Sequence, residues 1–374
     1  MNLDSRIVIL CDKNSRTSFG RLALDLKQAI SAEYNTSILW LKTPKYFSDD
    51  IDKCSASDAE IWSSSLYMGY FGFRKPLTEY LRKQKPKIIF LIRPEIGFLV
   101  SPVRKALPYA KIVVLVHDTF AETLYPFSPK FKLISAFYAR PAAKADGFIY
   151  NSNYSRTEAE KFYGIGVAPS VVAGLPLNPN YRTPPQKVTQ AERVAFLESF
   201  GINGFSRMVL NISLPEKRKN IETFFDVAKR RPDIAFVRIG TVNRYVQELL
   251  GKQNLRNIFH FSNLSSETLY EFYRNASLYV APSFYEGFGL PPLEAIASGT
   301  PAVCAKTTAL AEIFEGVCPL VSPATNVDGY LKILQDVLDG KFAYDAEKVD
   351  SLLSRYRIES ISDKLTKFFE RLLG

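Results

Sequence analysis

Residues 281–301 read APSFYEGFGLPPLEAIASGTP and hold the densest chemistry in the chain. A short apolar run at 278–281 ends there, a loop with two glycines follows, and Pro291 falls where a helix would take its first turn, the one helical position at which a missing N–H costs nothing. The loop 286–290 thereby delivers backbone N–H groups to a helix N-terminus, where free donors and the helix dipole favour a phosphate. Gly287 and Gly289 let that backbone approach a ligand closely, because no side chain intervenes. Glu286 and Glu294 are separated by seven residues, one in the loop and one a turn into the helix. Carboxylates beside a phosphate cradle suit hydroxyls, from which they accept hydrogen bonds, so sugar and ribose hydroxyls are the natural ligands. His117, one of only two histidines, and Asp118 follow a second apolar run, 112–116. A histidine at the C-terminal end of a parallel strand points into the crevice where open α/β sheets bind ligands. Asp118 is placed to cap the next helix or to fix His117. His260, between Phe259 and Phe261, reads as structural.

The elements that must position these groups are visible as apolar runs at 6–10, 36–41, 87–92, 112–116 and 147–150, and again at 208–212, 234–239 and 278–281. They are four to six residues long and mostly non-alternating, the pattern of strands buried on both faces. Amphipathic stretches at 20–30, 220–230 and 266–275 lie between them with helical spacing. Strands alternating with helices imply parallel sheets covered on both sides. Residues 175–190 interrupt the alternation with Pro176, Pro179, Pro184 and Pro185 and no hydrophobic period, which marks a linker. The expected organisation is a first Rossmann-like domain at 1–180, a linker at 181–205, a second Rossmann-like domain at 206–355, and a C-terminal helix at 356–374 that belongs to the second domain or crosses back to the first.

A length of 374 residues suits two domains, and 47% apolar residues exclude a disordered chain. No apolar run is long enough to span a bilayer and the stretch 7–10 is too short for a signal-peptide core, so a cytoplasmic location is expected. Cys11, Cys54, Cys304 and Cys318 form no C-x-x-C pair, which argues for reduced thiols and against a zinc cluster. Asp50 and Asp52 make the single D-x-D triplet, in a polar acidic stretch that reads as a solvated loop and not as a metal site. The net charge of +10 is uneven: residues 1–180 hold 24 Lys+Arg against 16 Asp+Glu. Ten of those cations fall in 74–111, interleaved with Tyr80, Phe90, Phe98 and Tyr109, a segment suited to an anionic membrane surface or another polyanion.

The glutamate pair in EGFGLPPLE, with its strand, its proline-primed helix and the GTPAV turn downstream, resembles glycosyltransferase family 4, retaining enzymes of GT-B fold. That resemblance implies two Rossmann-like α/β domains whose parallel sheets face each other across a cleft. By position it assigns donor-sugar hydroxyls to Glu286, the distal phosphate to the amides of Gly287, Phe288, Gly289 and Leu290, and the nucleotide ribose to Glu294. SLPEKRKNIETF, residues 213–224, is similar to the family's R-K-N element, whose cations neutralise the donor diphosphate and the charge that develops as it leaves. Lys219 and Arg218 take that role here. Ser213 stands where some members carry a further arginine, so Arg218 or Lys217 compensates or the diphosphate is held less tightly. His117 and Asp118 resemble the V-x-x-H-D segment, in which the histidine contacts the donor sugar near the reacting centre. NSRTSFGR at 14–21 resembles the glycine-containing loop that closes over the acceptor side, with Gly20 as its single glycine.

The activity these features lead one to expect is that of a retaining glycosyltransferase, which moves a sugar from a nucleotide sugar to a glycan or lipid-linked acceptor by front-side displacement. It needs no cofactor and no metal, since Lys219, Arg218 and helix amides neutralise the leaving diphosphate. It is cytoplasmic and peripheral at the inner face of the membrane, and takes no nucleic acid as a partner. The alternatives are a nucleotide-sugar epimerase on the same scaffold, or a non-catalytic nucleotide or nucleic-acid binding protein using residues 74–111. A phosphorylase would need pyridoxal phosphate on a lysine, for which the sequence offers no context.

Overall fold

Non-alternating apolar runs become strands buried on both faces, because helices cover a parallel sheet from either side. The computed structural model describes residues 6–14, 17–42, 58–62, 72–181, 188–253 and 255–374. Cys54, the Asp50–Asp52 triplet, Ser15 and Arg16 of the N-terminal loop, and Pro184 and Pro185 lie outside the described residues. The first compact unit comprises 1–176 with 356–374, the second 177–355.

In the first unit, β1 (Arg6–Cys11), β2 (Asn35–Lys42), β3 (Ala59–Trp62), β4 (Ile88–Leu91), β5 (Lys111–Val116), β6 (Gly147–Tyr150) and β7 (Ser170–Val172) form one sheet in the order β3-β2-β1-β4-β5-β6-β7. Every pairing is parallel. The helix Ile358–Leu373 belongs to this unit: Phe369 meets the rings of Tyr34 and Phe90, and a Cβ on Gly147 would come within 2.8 Å of Phe368. Its buried residues Ile361, Leu365, Phe368, Phe369 and Leu372 recur at helical spacing.

In the second unit, β8 (Met208–Ile212), β9 (Ala235–Ile239), β10 (Ile258–Phe261), β11 (Leu278–Ala281), β12 (Ala302–Ala305) and β13 (Leu320–Val321) run in the order β10-β9-β8-β11-β12-β13, again all parallel. Its core gathers Phe224, Phe225, Phe236, Val280 and Tyr330. The GTPAV segment is not all turn, since β12 begins at Ala302. The stretch 181–205 is not all linker either. Residues 190–199 form a helix because Thr189 and Glu192 close a capping box across its first turn.

In both sheets the strand order reverses beside a central pair, β1 with β4 and β8 with β11. Helices leaving such a pair go to opposite faces and open a crevice at the strands' C-terminal ends, the place where doubly wound sheets bind ligands.

Candidate active site

The crevice of the second unit is lined by two loops, 213–219 after β8 and 282–289 after β11. Lys219 from the first and Glu286 from the second meet there: Nζ donates to Oε1 and Oε2, both at 2.7 Å. Ser283 Oγ donates to the same Oε1 at 2.8 Å, and Arg218 Nη1 stands 3.6 Å from Oε2. Burial pushes the Glu286 carboxyl up, but Lys219, Arg218 and Ser283 outweigh it and hold it below the usual carboxylate range. Burial lowers the Lys219 pKa while Glu286 opposes it, so each partner favours the charged form of the other. Two of the three Lys219 N–H bonds are committed to Glu286, which leaves the third for an anion entering the crevice.

The backbone around the pair is over-determined. Asn220 adopts a left-handed conformation, φ 51°, one that asparagine tolerates, and its Nδ2 donates to the carbonyls of Pro282 and Ala324. The Arg218 carbonyl accepts from the Phe284 N–H at 2.8 Å, and its guanidinium reaches the Tyr285 carbonyl at 3.2 Å and Glu216 at 2.5 Å. Thr308 sits at φ 42°, costly for a β-branched residue, and its hydroxyl accepts from the Glu286 N–H at 3.0 Å. Thr307 donates to the Ser283 carbonyl at 2.8 Å. Lys217, by contrast, is exposed.

Gly289 caps the helix Leu290–Ala297 at φ 106°. A Cβ there would lie 2.7 Å from Leu310 Cδ2 and 2.9 Å from Phe314 Cε2, so this glycine is required by packing against the helix Thr308–Phe314 as well as by its dihedrals. Pro291 and Pro292 carry no N–H, so the donors at this helix start come from the preceding residues, Gly287 through Leu290. Gly287 and Phe288 are buried and Leu290 is half-buried. Glu294, one turn on, is half-buried, and its Oε2 accepts from the buried Tyr273 hydroxyl at 2.7 Å. The two glutamates thus differ in kind: Glu286 is neutralised by cations, whereas Glu294 is oriented by a phenol.

Ser213 donates its hydroxyl to Asn211 Oδ1 at 2.7 Å and its N–H to the Ile239 carbonyl. Its own carbonyl accepts from Arg238 Nη2 at 2.8 Å. Arg238, in β9, is fully buried. It also donates to the Thr241 carbonyl and to His260 Nδ1, both at 3.2 Å, and has no carboxylate within ion-pairing distance among the described residues. Burial lowers its pKa to about 10, which keeps it charged at neutral pH. An uncompensated guanidinium behind Ser213 makes that end of the crevice electropositive. Its role was missed from the sequence, although a cation inside the strand AFVRI departs from the usual exclusion of arginine from cores. Ser283, Thr308 and Tyr273 were missed as well. His260 is the acceptor for Arg238, and burial followed by that cation lowers its pKa.

In the first unit His117 follows β5 at the same edge as the loops after β1 and β4. It is buried, with Nε2 2.7 Å from the Ile92 carbonyl. A carbonyl only accepts, so the proton is on Nε2 and Nδ1 is an acceptor. The ring meets Phe19 edge to face at 4.9 Å, and its carbonyl accepts from Asn151 and Ser155 at 2.8 Å each. The partner of the imidazole is Ile92 and not Asp118, whose Oδ1 accepts from the Phe120 N–H at 3.3 Å. Beside it Arg93 pairs with Asp12 through two bonds of 2.8 and 2.7 Å. Gly20 is not a loop residue. It lies in the first turn of the helix Ser18–Ser31, its N–H held by the Thr17 hydroxyl at 3.1 Å, because Thr17 caps the helix earlier than the glycine suggested.

Burial pushes the His117 pKa from 6.5 down to about 4, against the Ile92 bond and with help from Arg93. A depressed histidine contributes stability that is present above its unfolded pKa and lost as pH falls through the folded one. Between pH 7 and pH 4 the protein should therefore lose on the order of 3 kcal/mol more than His117→Asn. Urea unfolding of both proteins across that range checks it, and parallel curves would contradict it.

Residues 195–350, a span holding Ser213, Arg218, Lys219, Glu286 and Glu294, match the model of the family of glycosyl transferases group 1. O-antigen chain mannosyltransferase B of Escherichia coli is 25% identical over 341 residues, 86% of this chain and 87% of that protein. Among solved structures, sucrose-phosphate synthase from Thermosynechococcus elongatus is similar with a TM-score of 0.78 at 17% identity, over 98% of this chain and 99% of that one. Anabaena HepE in complex with UDP and glucose gives 0.72 at 15%, over 97% and 99%. At such identities the likeness is one of fold: the chain has the two-domain, Rossmann-like GT-B architecture.

Proposed function

We propose that the protein transfers a sugar, mannose by analogy with its E. coli relative, from a nucleotide sugar to a glycan or lipid-linked acceptor, with retention of configuration. The observation that carries this is the Lys219–Glu286 pair, set with Ser283 and Arg218 at the strand-order reversal of the second sheet. Glu286 has accepting capacity left for donor-sugar hydroxyls. Lys219, the Arg218 guanidinium and the amides of Gly287 through Leu290 receive the diphosphate, with Arg238 behind Ser213 adding charge. Glu294, held by Tyr273, takes the ribose. Fixed cations stabilise the leaving diphosphate where its charge develops, so no metal is required. His117, neutral with a bare Nδ1, offers an acceptor to a sugar hydroxyl. Incubation with a panel of labelled nucleotide sugars in the presence of EDTA, with the anomeric configuration of the product read by NMR, tests donor, metal requirement and retention together.

The two glutamates should separate in kinetics. Glu294→Ala is expected to weaken nucleotide binding by about tenfold or more, the cost of one lost hydrogen bond to a ligand hydroxyl. Glu286→Gln should leave free nucleotide binding near wild type and lower kcat with the whole donor. Calorimetry with nucleotide and steady-state rates with donor distinguish them. Normal binding and turnover in both variants would move the site elsewhere.

A further inference from the structure

The connection from β5 to β6 carries a surface that neither the site nor the core accounts for. Its inner face is anchored. Ser135, Ala139 and Ala142 are buried, Phe98 and Tyr138 meet edge to face at 5.9 Å, and a Cβ on Gly97 would come within 2.6 Å of the Ala142 nitrogen. The helical run 129–144 therefore sits directly on residues 94–99, which follow β4. Its outer face is apolar: Phe127 is 87% exposed, Leu133 and Phe137 61% each. Leu133, Phe137, Arg140 and Lys144 are all exposed, on the side of the run away from buried Ser135, Ala139 and Ala142. Lys130, Lys132, Arg140 and Lys144 are all exposed, and the sequence has no acidic residue between Glu122 and Asp146. None of the four cations is in an ion pair among the described residues. Lys132 Nζ stands 5.9 Å from the Phe127 ring centroid.

Contiguous exposed apolar side chains mark an interaction site. Here they are aromatic and aliphatic residues interleaved with unpaired cations, the composition that partitions into the interface of an anionic bilayer. Residues 74–111 expose one large apolar side chain among the described residues, Tyr109, and it lies at the other end of the sheet. Lys85, Lys87 and Tyr109 precede β4 and β5, at the sheet edge opposite His117, while Phe90 is buried inside β4 and Arg93 is paired with Asp12. Residues 120–144 instead leave β5 at the edge that carries His117.

We propose that residues 120–144 form a docking surface for a bilayer containing anionic lipid, which rests on the glycosyl-transfer reading above and narrows its acceptor to one held at a membrane. Phe127, Leu133 and Phe137 enter the headgroup region while the lysines and Arg140 meet lipid phosphates. Binding is interfacial, since no helix among the described residues is long and apolar enough to cross a membrane.

Co-sedimentation of the full chain with vesicles of phosphatidylcholine, with or without phosphatidylglycerol, tests this. The wild type should pellet with the anionic vesicles at low salt and be released near roughly 0.5 M salt, where screening is nearly complete. Each cation near such a surface is worth about fivefold in partitioning, so Lys130→Ala with Lys132→Ala should lower it about 25-fold. Phe127→Ser with Leu133→Ser should lower it on the order of tenfold. Both pairs are exposed, and unchanged thermal unfolding confirms that they fold. Arg82→Ala with Lys85→Ala, at the opposite edge, should bind like wild type. Wild-type pelleting by both patch variants, or loss confined to the Arg82 and Lys85 variant, overturns the proposal. So does a self-association that Phe127→Ser with Leu133→Ser abolishes without changing vesicle binding, which would assign the face to a second copy. Transfer to a detergent-solubilised lipid-linked acceptor, assayed without vesicles, reports separately on the glycosyl-transfer reading: vesicle binding without any transfer fails that reading alone, and transfer without vesicle binding fails the docking surface alone.

Discussion

Lys219→Ala is expected to lower kcat by about 10²–10³-fold, the range seen when one preorganised stabiliser of developing charge is removed. Two effects combine. The cation proposed to meet the diphosphate is gone, and half-buried Glu286 is left with Ser283 and a guanidinium at 3.6 Å as its remaining partners. Breaking a buried pair from one side costs about 3–5 kcal/mol because a charge is stranded, whereas removing both partners costs far less. Lys219→Met with Glu286→Gln should therefore be more stable than Lys219→Ala, though no more active. With Lys219 absent, Glu286 loses its strongest charge partner and its pKa rises, so the stability that its ionisation contributes above the unfolded pKa in wild type is reduced. Added magnesium should not restore turnover, since it has no fixed position on the diphosphate. Lys219→Arg should recover part of it. Full activity in Lys219→Ala, or rescue by magnesium, would place the phosphate site elsewhere.

The parts of this site that were legible in sequence are those written in local punctuation. The loops after β8 and β11 stand out because an apolar run stops and Gly, Pro or a charge cluster comes next, and the doubly wound order then brings those two loops together. Glu286 and Lys219 are 67 positions apart, yet each is identifiable within its own ten residues. What failed was whatever depended on a partner from elsewhere. Gly289 looked like an opening for ligand, but its necessity comes from Leu310 and Phe314 across the fold. Gly20 looked like a loop glycine, and a threonine three residues earlier decided otherwise. Arg238 was passed over because strand propensity describes AFVRI well, and only the register with His260 and the carbonyl of Ser213 gives the guanidinium a function. Charge counting picked 74–111 because it sums cations along the chain. The exposed apolar patch at 120–144 becomes visible once burial separates Phe127 and Phe137 from Phe90.

That distinction bears on how the donor loop is held, and Gly289→Ala examines it most directly. Two glycines in this unit share a positive φ but not its surroundings. Gly316, at φ 76°, has nothing within 4 Å of where a Cβ would stand, whereas at Gly289, at φ 106°, the same atom meets two buried side chains at 2.7 and 2.9 Å. Gly316→Ala should thus cost only the conformational term, about 1 kcal/mol. Gly289→Ala adds overpacking against Leu310 and Phe314, typically about 1–3 kcal/mol, and should cost on the order of 3 kcal/mol in all. Relief of that overlap has two routes. If the helix Thr308–Phe314 moves, Thr308 goes with it and its hydroxyl no longer holds the Glu286 N–H. If the loop moves, the amides of Gly287 through Leu290 leave the position proposed for the phosphate. Either way nucleotide affinity falls with stability in Gly289→Ala, while Gly316→Ala loses stability alone. Thermal unfolding and nucleotide titration of the two variants side by side measure this, and a Gly289→Ala protein that binds nucleotide normally would show that the loop's position is set independently of its packing.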